Sequence, residues 1–152
     1  MRTYNYRTAT QNDVIPILEF QLNDPDAFNI SDRIKGYEKV ELEEWVEDVK
    51  NNIIYVVEVT DDKTNQTELI GFIFGKFMSK LWVMIDCGYI IPTYRGMEIG
   101  KQLTAHLVGY AKCEGVEYIS TLVEWNDEQL SIQLGKMGFS RAKTYTWHEK
   151  FL

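Results

Sequence analysis

With 152 residues, 45 % of them hydrophobic, and no low-complexity run, the chain is long enough for one globular domain with its own core, and its composition excludes disorder. A net charge of −7 argues against nucleic acid as a partner, since a phosphate backbone calls for a basic stripe, and it favours cationic partners. No apolar stretch reaches bilayer length and no signal-peptide core follows Met1, so a cytoplasmic protein without a membrane partner is expected.

Residues 4–8 alternate as a short strand. Thr10 is placed to cap a helix carrying Val14, Ile17, Leu18 and Leu22 on one side, with Pro16 early enough to be tolerated. Segment 24–37, with Pro25, Ser31 and Gly36, is the least regular part. Val40, Trp45, Val46 and Val49 predict a second amphipathic helix over 38–50. Segment 24–50 holds five of the seven net negative charges; it reads as a solvated helix face or as an acidic lip that recruits a cationic amine. Runs 53–60 and 69–78 are β-rich and flank a hairpin loop at 61–66. A third strand, 81–91, is apolar on both alternating sets, as expected where both faces are covered. Helix 98–113 follows, with Ile99, Leu103, Leu107 and Tyr110 on one stripe and Gly115 at its end. A strand at 116–124, a helix at 127–137 stopped by Gly138 and a terminal strand at 140–150 complete the chain. The order β-α-α-β-β-β-α-β-α-β predicts an α/β (α+β) fold, a mixed sheet with helices on both faces and no internal repeat.

The junction from 86 to 101 carries the chemistry. An apolar strand breaks at Pro92 and passes through a short glycine-containing turn into a helix. Gly96 and Gly100 permit close backbone approach, and the first amides of the helix have no intrahelical acceptor and point out of its positive end. Such an end binds pyrophosphate. Arg95 adds a forked, fixed charge and Lys101 a mobile one. A P-loop is excluded because Gly100-Lys101 is followed by Gln102, which offers no hydroxyl to magnesium. A dinucleotide fingerprint is excluded by the glycine spacing and by the position of the loop past the middle of the chain. Cys87 and Cys113 show neither disulfide nor metal spacing and read as free thiols, and no metal ligand set is apparent.

Taken with the element order, Tyr94-Arg95-Gly96-Met97-Glu98-Ile99-Gly100-Lys101 resembles the pyrophosphate loop, Arg/Gln-x-x-Gly-x-Gly/Ala, of the GCN5-related N-acetyltransferase (GNAT) family. Arg95 and Gly100 match, while Glu98 stands where the first glycine of the pattern usually is. The resemblance covers nearly all of the chain. It implies a single N-acetyltransferase domain over 1–152, a mostly antiparallel central sheet, and acetyl-CoA as co-substrate. The cofactor would be held by Ile90, Ile91, Arg95, Gly96, Met97, Glu98, Ile99, Gly100 and Lys101, with the Glu98 side chain turned outward and its amide facing the ligand. Glu124-Trp125-Asn126 and the stretch from Ser131 to Phe139 are similar to a second family segment, which implies cofactor contacts for Asn126 and Ser131. The tyrosine acid that often ends that helix has no counterpart, since Leu134 and Gly135 occupy its place.

For the acceptor side, alternation along the strand puts Trp82, Met84, Asp86, Gly88 and Ile90 on one face, with Asp86 the only ionisable member. The resemblance places the acetyl group beside the backbone of Ile90, leaving Asp86 about 13 Å away at about 3.3 Å per residue, within reach of the amine through a water. Asp86 is therefore the candidate base or cation anchor, against the ordinary alternative of a structural carboxylate. Glu124, at the end of the next strand, is the second candidate. His106 and His148 read as structural, and Trp45, Trp82, Trp125 and Trp147 as core fillers before pocket aromatics. Direct attack of a neutral primary amine on the thioester is implied, with a small cationic amine as acceptor. A protein lysine or N-terminus is the alternative acceptor, and a non-catalytic acyl-CoA-binding protein the alternative class. Exposed strands near the C-terminus are compatible with a homodimer.

Overall fold

The computed structural model describes residues 2–23, 37–124, 126–144, 146, 148 and 150. β1 is Arg2–Thr8, and a 3₁₀ turn, Gln11–Asp13, leads into α1, Val14–Asn23. α2, Tyr37–Asn51, is followed by β2, Ile53–Asp61, then β3, Gln66–Ser79, and β4, Trp82–Ile90. A second 3₁₀ turn, Pro92–Tyr94, precedes α3, Ile99–Cys113, and the chain continues into β5, Tyr118–Thr121, and α4, Glu128–Lys136. The expected order is found through α4. The described residues of 140–150 form no strand; Tyr145, Trp147 and Glu149 lie outside them, as do Trp125 and residues 24–36, on which most of the segment 24–37 falls.

Two compact units divide the chain, Met1–Thr121 and Leu122–Leu152. The first contains a five-stranded sheet in the order β1-β2-β3-β4-β5, antiparallel except for the parallel β4–β5 pair. Period-two alternation sends Ile54, Val56, Phe72 and Phe74 to one face, where Val14 and Ile17 of α1 and Trp45 of α2 bury them. Trp45 meets Phe72 edge-on at 5.6 Å, so this indole fills core, whereas Trp82 is 37 % exposed and donates to Ser120 Oγ at 2.8 Å. α3 packs on β2, β3 and β4 from the opposite face. It lies close there because Gly75 has no side chain: a Cβ would meet Leu107 and Val83 at 2.9 Å. In the second unit the Asp127 carboxylate caps α4 by accepting the Leu130 N–H at 2.9 Å, and Gly138, at φ 91, follows its end.

Arg7 fastens the start of α1 to the sheet. Its guanidinium donates to both Asp13 oxygens at 2.8 and 2.9 Å and also to Glu58, while the Thr10 amide and hydroxyl donate to the same Asp13 carboxylate at 2.7 and 3.0 Å. Burial pushes the Asp13 carboxyl up, but the hydrogen bonds from Arg7 and Thr10 together outweigh it and hold the group below its ordinary value. Glu58 is held low chiefly by its hydrogen bond from Arg7. Both groups bind protons less readily folded than unfolded. Their stabilisation is therefore present above the ordinary carboxylate range, about pH 4, and is lost as the pH falls through the lowered folded values. Arg7→Ala leaves Asp13, 6 % exposed, without its cation. Urea unfolding at pH 7 is expected to show a loss of about 2 kcal/mol, modest for a buried pair because Arg7 is itself partly exposed, and the gap to the parent should narrow in strong acid.

Candidate active site

The pairing of β4 with β3 slips between Phe74↔Cys87 and Gly75↔Ile85, leaving Asp86 as an extra residue with no partner on β3. The expected placement of Asp86 on one face with Gly88 and Ile90 is thereby corrected. Ile85 shares the α3 face with its partner Gly75, Cys87 and Tyr89 pack with the core under α1 and α2, and Gly88 and Ile90 return to the α3 face opposite Ile73 and Gly71. Asp86 itself is exposed and lies near enough to Asp48 of α2 to act on it electrostatically.

The same bulge ends the ladder with β5. Pairing runs only from Trp82↔Tyr118 to Ile85↔Thr121, where Thr121 Oγ1 donates to the Ile85 carbonyl at 3.2 Å. β5 thus stops at Thr121 and not at 124, because the bulged β4 no longer offers a parallel register. From Asp86 to Ile90, β4 has no strand partner on its β5 side among the described residues, and that edge is open within the first unit. The Ile91 N–H donates to Ile70 on β3 at 2.9 Å, so by alternation the backbone groups of Gly88 and Ile90 turn toward that opening. Arg95 Nε donates to the Ile90 carbonyl there at 2.9 Å, and its guanidinium lies over the Tyr89 ring at 5.3 Å. One side chain therefore links the end of β4 to the loop that follows.

The loop then enters α3. Gly96, at φ 81, makes the left-handed step that leads to Met97, whose sulfur lies 3.8 Å from the Tyr4 hydroxyl. Glu98 occupies the N-cap at φ 61 and makes no side-chain cap to α3, so the first amides of the helix keep their outward direction. Its side chain is turned to solvent, as expected, and pairs with Lys101 Nζ at 3.1 Å. A Cβ on Gly100 would meet only Ile90 Cδ1 at an ordinary 3.4 Å, and one on Gly96 nothing within 4 Å. Space at these two glycines is thus not demanded by internal packing. Polarised amides, two cations and bare glycines lie together at the end of β4, an arrangement that could hold a diphosphate.

On the α2 side, carboxylates gather near the bulge. Asp48 Oδ1 accepts from Asn52 Nδ2 at 2.7 Å, and Asn52 Oδ1 accepts the Phe77 N–H of β3 at 2.8 Å, which fixes the C-terminal end of α2 to the sheet. Burial, above all, pushes the Asp48 carboxyl above its ordinary value; Asn52 and Lys76 oppose the rise, while Glu44 and Asp86 add to it. Cys87 is pushed up to about 12 by burial, reinforced by Asp86, Asp48 and Glu41. Its thiol stays protonated at neutral pH, so it offers no thiolate nucleophile.

The model of the acetyltransferase (GNAT) family matches residues 19–139. The chain belongs to that family. No curated protein matches the acetyltransferase sequence. Among solved structures, an aminoglycoside 6′-N-acetyltransferase from Acinetobacter baumannii is similar with a TM-score of 0.68 at 14 % identity, covering 99 % of each chain. A PaiA N-acetyltransferase from Thermoplasma acidophilum, in complex with coenzyme A, has a TM-score of 0.68 at 17 % identity, covering 94 % of this chain and 93 % of its own. An aminoglycoside N-acetyltransferase in complex with CoA has a TM-score of 0.67 at 12 % identity, covering 97 % of this chain and 100 % of its own. At such identities the likeness carries the fold alone, a mixed, mostly antiparallel sheet with helices, as expected.

Within this acetyltransferase, Asp86, Ile90, Ile91 and the loop residues Arg95 to Lys101 all belong to the first unit. Glu124, Asn126 and Ser131 belong to the second unit: Glu124 and Asn126 are exposed, and Ser131 is a half-buried residue of α4. His106 stacks between Tyr6 at 5.0 Å and Tyr55 at 5.5 Å, a structural position for an imidazole. No cluster of three metal-ligating side chains occurs among the described residues, and no described helix is long and apolar enough to cross a membrane. Asp48 was not singled out by sequence reasoning. Its signal lay in the i, i+4 spacing of Glu44, Asp48 and Asn52, which aligns them on one helix face.

Proposed function

We propose that the protein transfers the acetyl group of acetyl-CoA to a small cationic amine. The observation that carries this reading is the open edge of β4 from Asp86 to Ile90, one short loop away from the uncapped N-terminus of α3. That loop holds the diphosphate with the amides of α3 and with Arg95 and Lys101. Bound acetyl-CoA supplies an activated acyl carbon and a thiolate leaving group. The Ile90 N–H, turned into the opening, is positioned to stabilise the carbonyl oxygen as the amine attacks. Asp86 and Asp48 attract the ammonium and accept its proton, directly or through water, so that the neutral amine attacks. The protonated Cys87 thiol supports direct transfer without an acyl-enzyme. Glu124, Asn126 and Ser131 enter this reading only through the family resemblance. Neighbours of the same fold include aminoglycoside acetyltransferases, which supports a polycationic acceptor and sets the first amines to screen.

Amine-dependent release of CoA from acetyl-CoA, followed with a thiol reagent across aminoglycosides, polyamines, neutral amines and lysine peptides, tests the reading. Cationic small amines should be preferred. A preference for lysine peptides would replace the acceptor class, and no release with any amine would remove the catalytic assignment.

A separate prediction isolates the cradle from the fold. Gly100→Ala is expected to leave thermal stability unchanged or raised by about 0.5 kcal/mol, as for alanine in a helix, because the new methyl meets only Ile90 at 3.4 Å. Acetyl-CoA affinity should nevertheless fall at least about tenfold, or 1.4 kcal/mol, since the methyl enters the diphosphate space. Calorimetric unfolding and titration of the same preparation check both halves.

A further inference from the structure

Glu98 stands where the family pattern usually has a glycine, and two observations set it apart. It is one of only two described non-glycine residues with positive φ, and it puts a carboxylate at the positive end of α3. That carboxylate does not cap the helix; it pairs with Lys101, and the two side chains are 68 % and 54 % exposed. An exposed pair three residues apart is weak and exchanges readily. Lys101 in turn stands in the first helical turn, where the dipole disfavours a cation unless an anion lies beside it.

We propose that Glu98 competes with the cofactor diphosphate for Lys101 and so sets the affinity of the loop for CoA and its thioesters. The inference rests on the acetyl-CoA reading above. In the free enzyme Lys101 is neutralised by Glu98. When a diphosphate engages the α3 amides, Lys101 exchanges partners, and the released Glu98 carboxylate is left close to a like charge. Both effects weaken binding of acetyl-CoA and of product CoA alike, and both speed product release. A glycine at this position would do neither, and it would also remove the strain of a left-handed glutamate.

Calorimetric titration of CoA into the parent, Glu98→Gln, Lys101→Gln and the double variant tests the exchange. Glutamine keeps the backbone strain and removes only the charge, so Glu98→Gln should tighten CoA about tenfold. Lys101→Gln should weaken binding more in the Glu98→Gln background than in the parent, because only there is Lys101 already free of its partner. Glu98→Gly should in addition raise the midpoint of unfolding without any ligand, a readout independent of CoA. Equal constants for the parent and Glu98→Gln, or strictly additive effects of the two substitutions, would overturn the proposal while leaving the cofactor reading in place. Failure of every variant to bind CoA would overturn both.

Discussion

Arg95→Ala is expected to remove the thermal stabilisation that acetyl-CoA confers. A ligand at about 100 times its dissociation constant adds about 2.7 kcal/mol to the stability of the folded state, a rise of several degrees for a chain of this size. The guanidinium contributes twice. In the proposed complex its forked donors supply charge-assisted hydrogen bonds to the diphosphate, worth about 2–3 kcal/mol, and its Nε holds the Ile90 carbonyl at 2.9 Å while the planar group lies over Tyr89. Alanine loses both, so the dissociation constant should rise by about two orders of magnitude. Arg95→Lys keeps the charge but not the fork or the Nε contact and should fall between the two. An unchanged shift in Arg95→Ala would show that the loop is not where the cofactor sits.

Asp86→Asn combined with Asp48→Asn is expected to lower kcat/KM for a cationic amine by about 10²-fold while leaving acetyl-CoA binding unchanged. Asparagine preserves shape but neither attracts the ammonium nor accepts its proton. Because Asp48 is pushed above its ordinary value by burial and then by Glu44 and Asp86, kcat/KM of the parent should fall with acid through a pKa above the ordinary aspartate value of about 3.9. Asp48→Asn should remove that limb of the profile. If the paired substitution leaves the kinetics of every amine intact, the carboxylates at the bulge have no part in the acceptor site.

The elements were legible because their periods are clear. Val14 and Ile17 bury one helical side against Phe72 and Phe74 of an alternating strand, and Leu103 and Leu107 do the same for α3. The strand–loop–helix junction was legible from Pro92, which ends the strand, and from Gly96, whose φ of 81 makes the turn before α3. The bulge at Asp86 was not. β4 is apolar on both alternating sets, so shifting its register by one residue changes nothing in the pattern, and only pairing with β3 reveals the slip. The length of β5 depends on that slip and was misread with it. Asp48 was hidden inside an acidic helix whose charges look alike in sequence; burial against the sheet singles it out. The second role of Arg95, on the Ile90 carbonyl, is a tertiary contact across five residues that no spacing announces.

Amide hydrogen exchange with and without acetyl-CoA addresses the central claim most directly, because it reads the backbone groups on which the site rests. Protection concentrated at Gly88 and Ile90 and in the loop from Gly96 to Lys101 is the result this account predicts. Protection confined to other segments, or none at saturating acetyl-CoA, would contradict it.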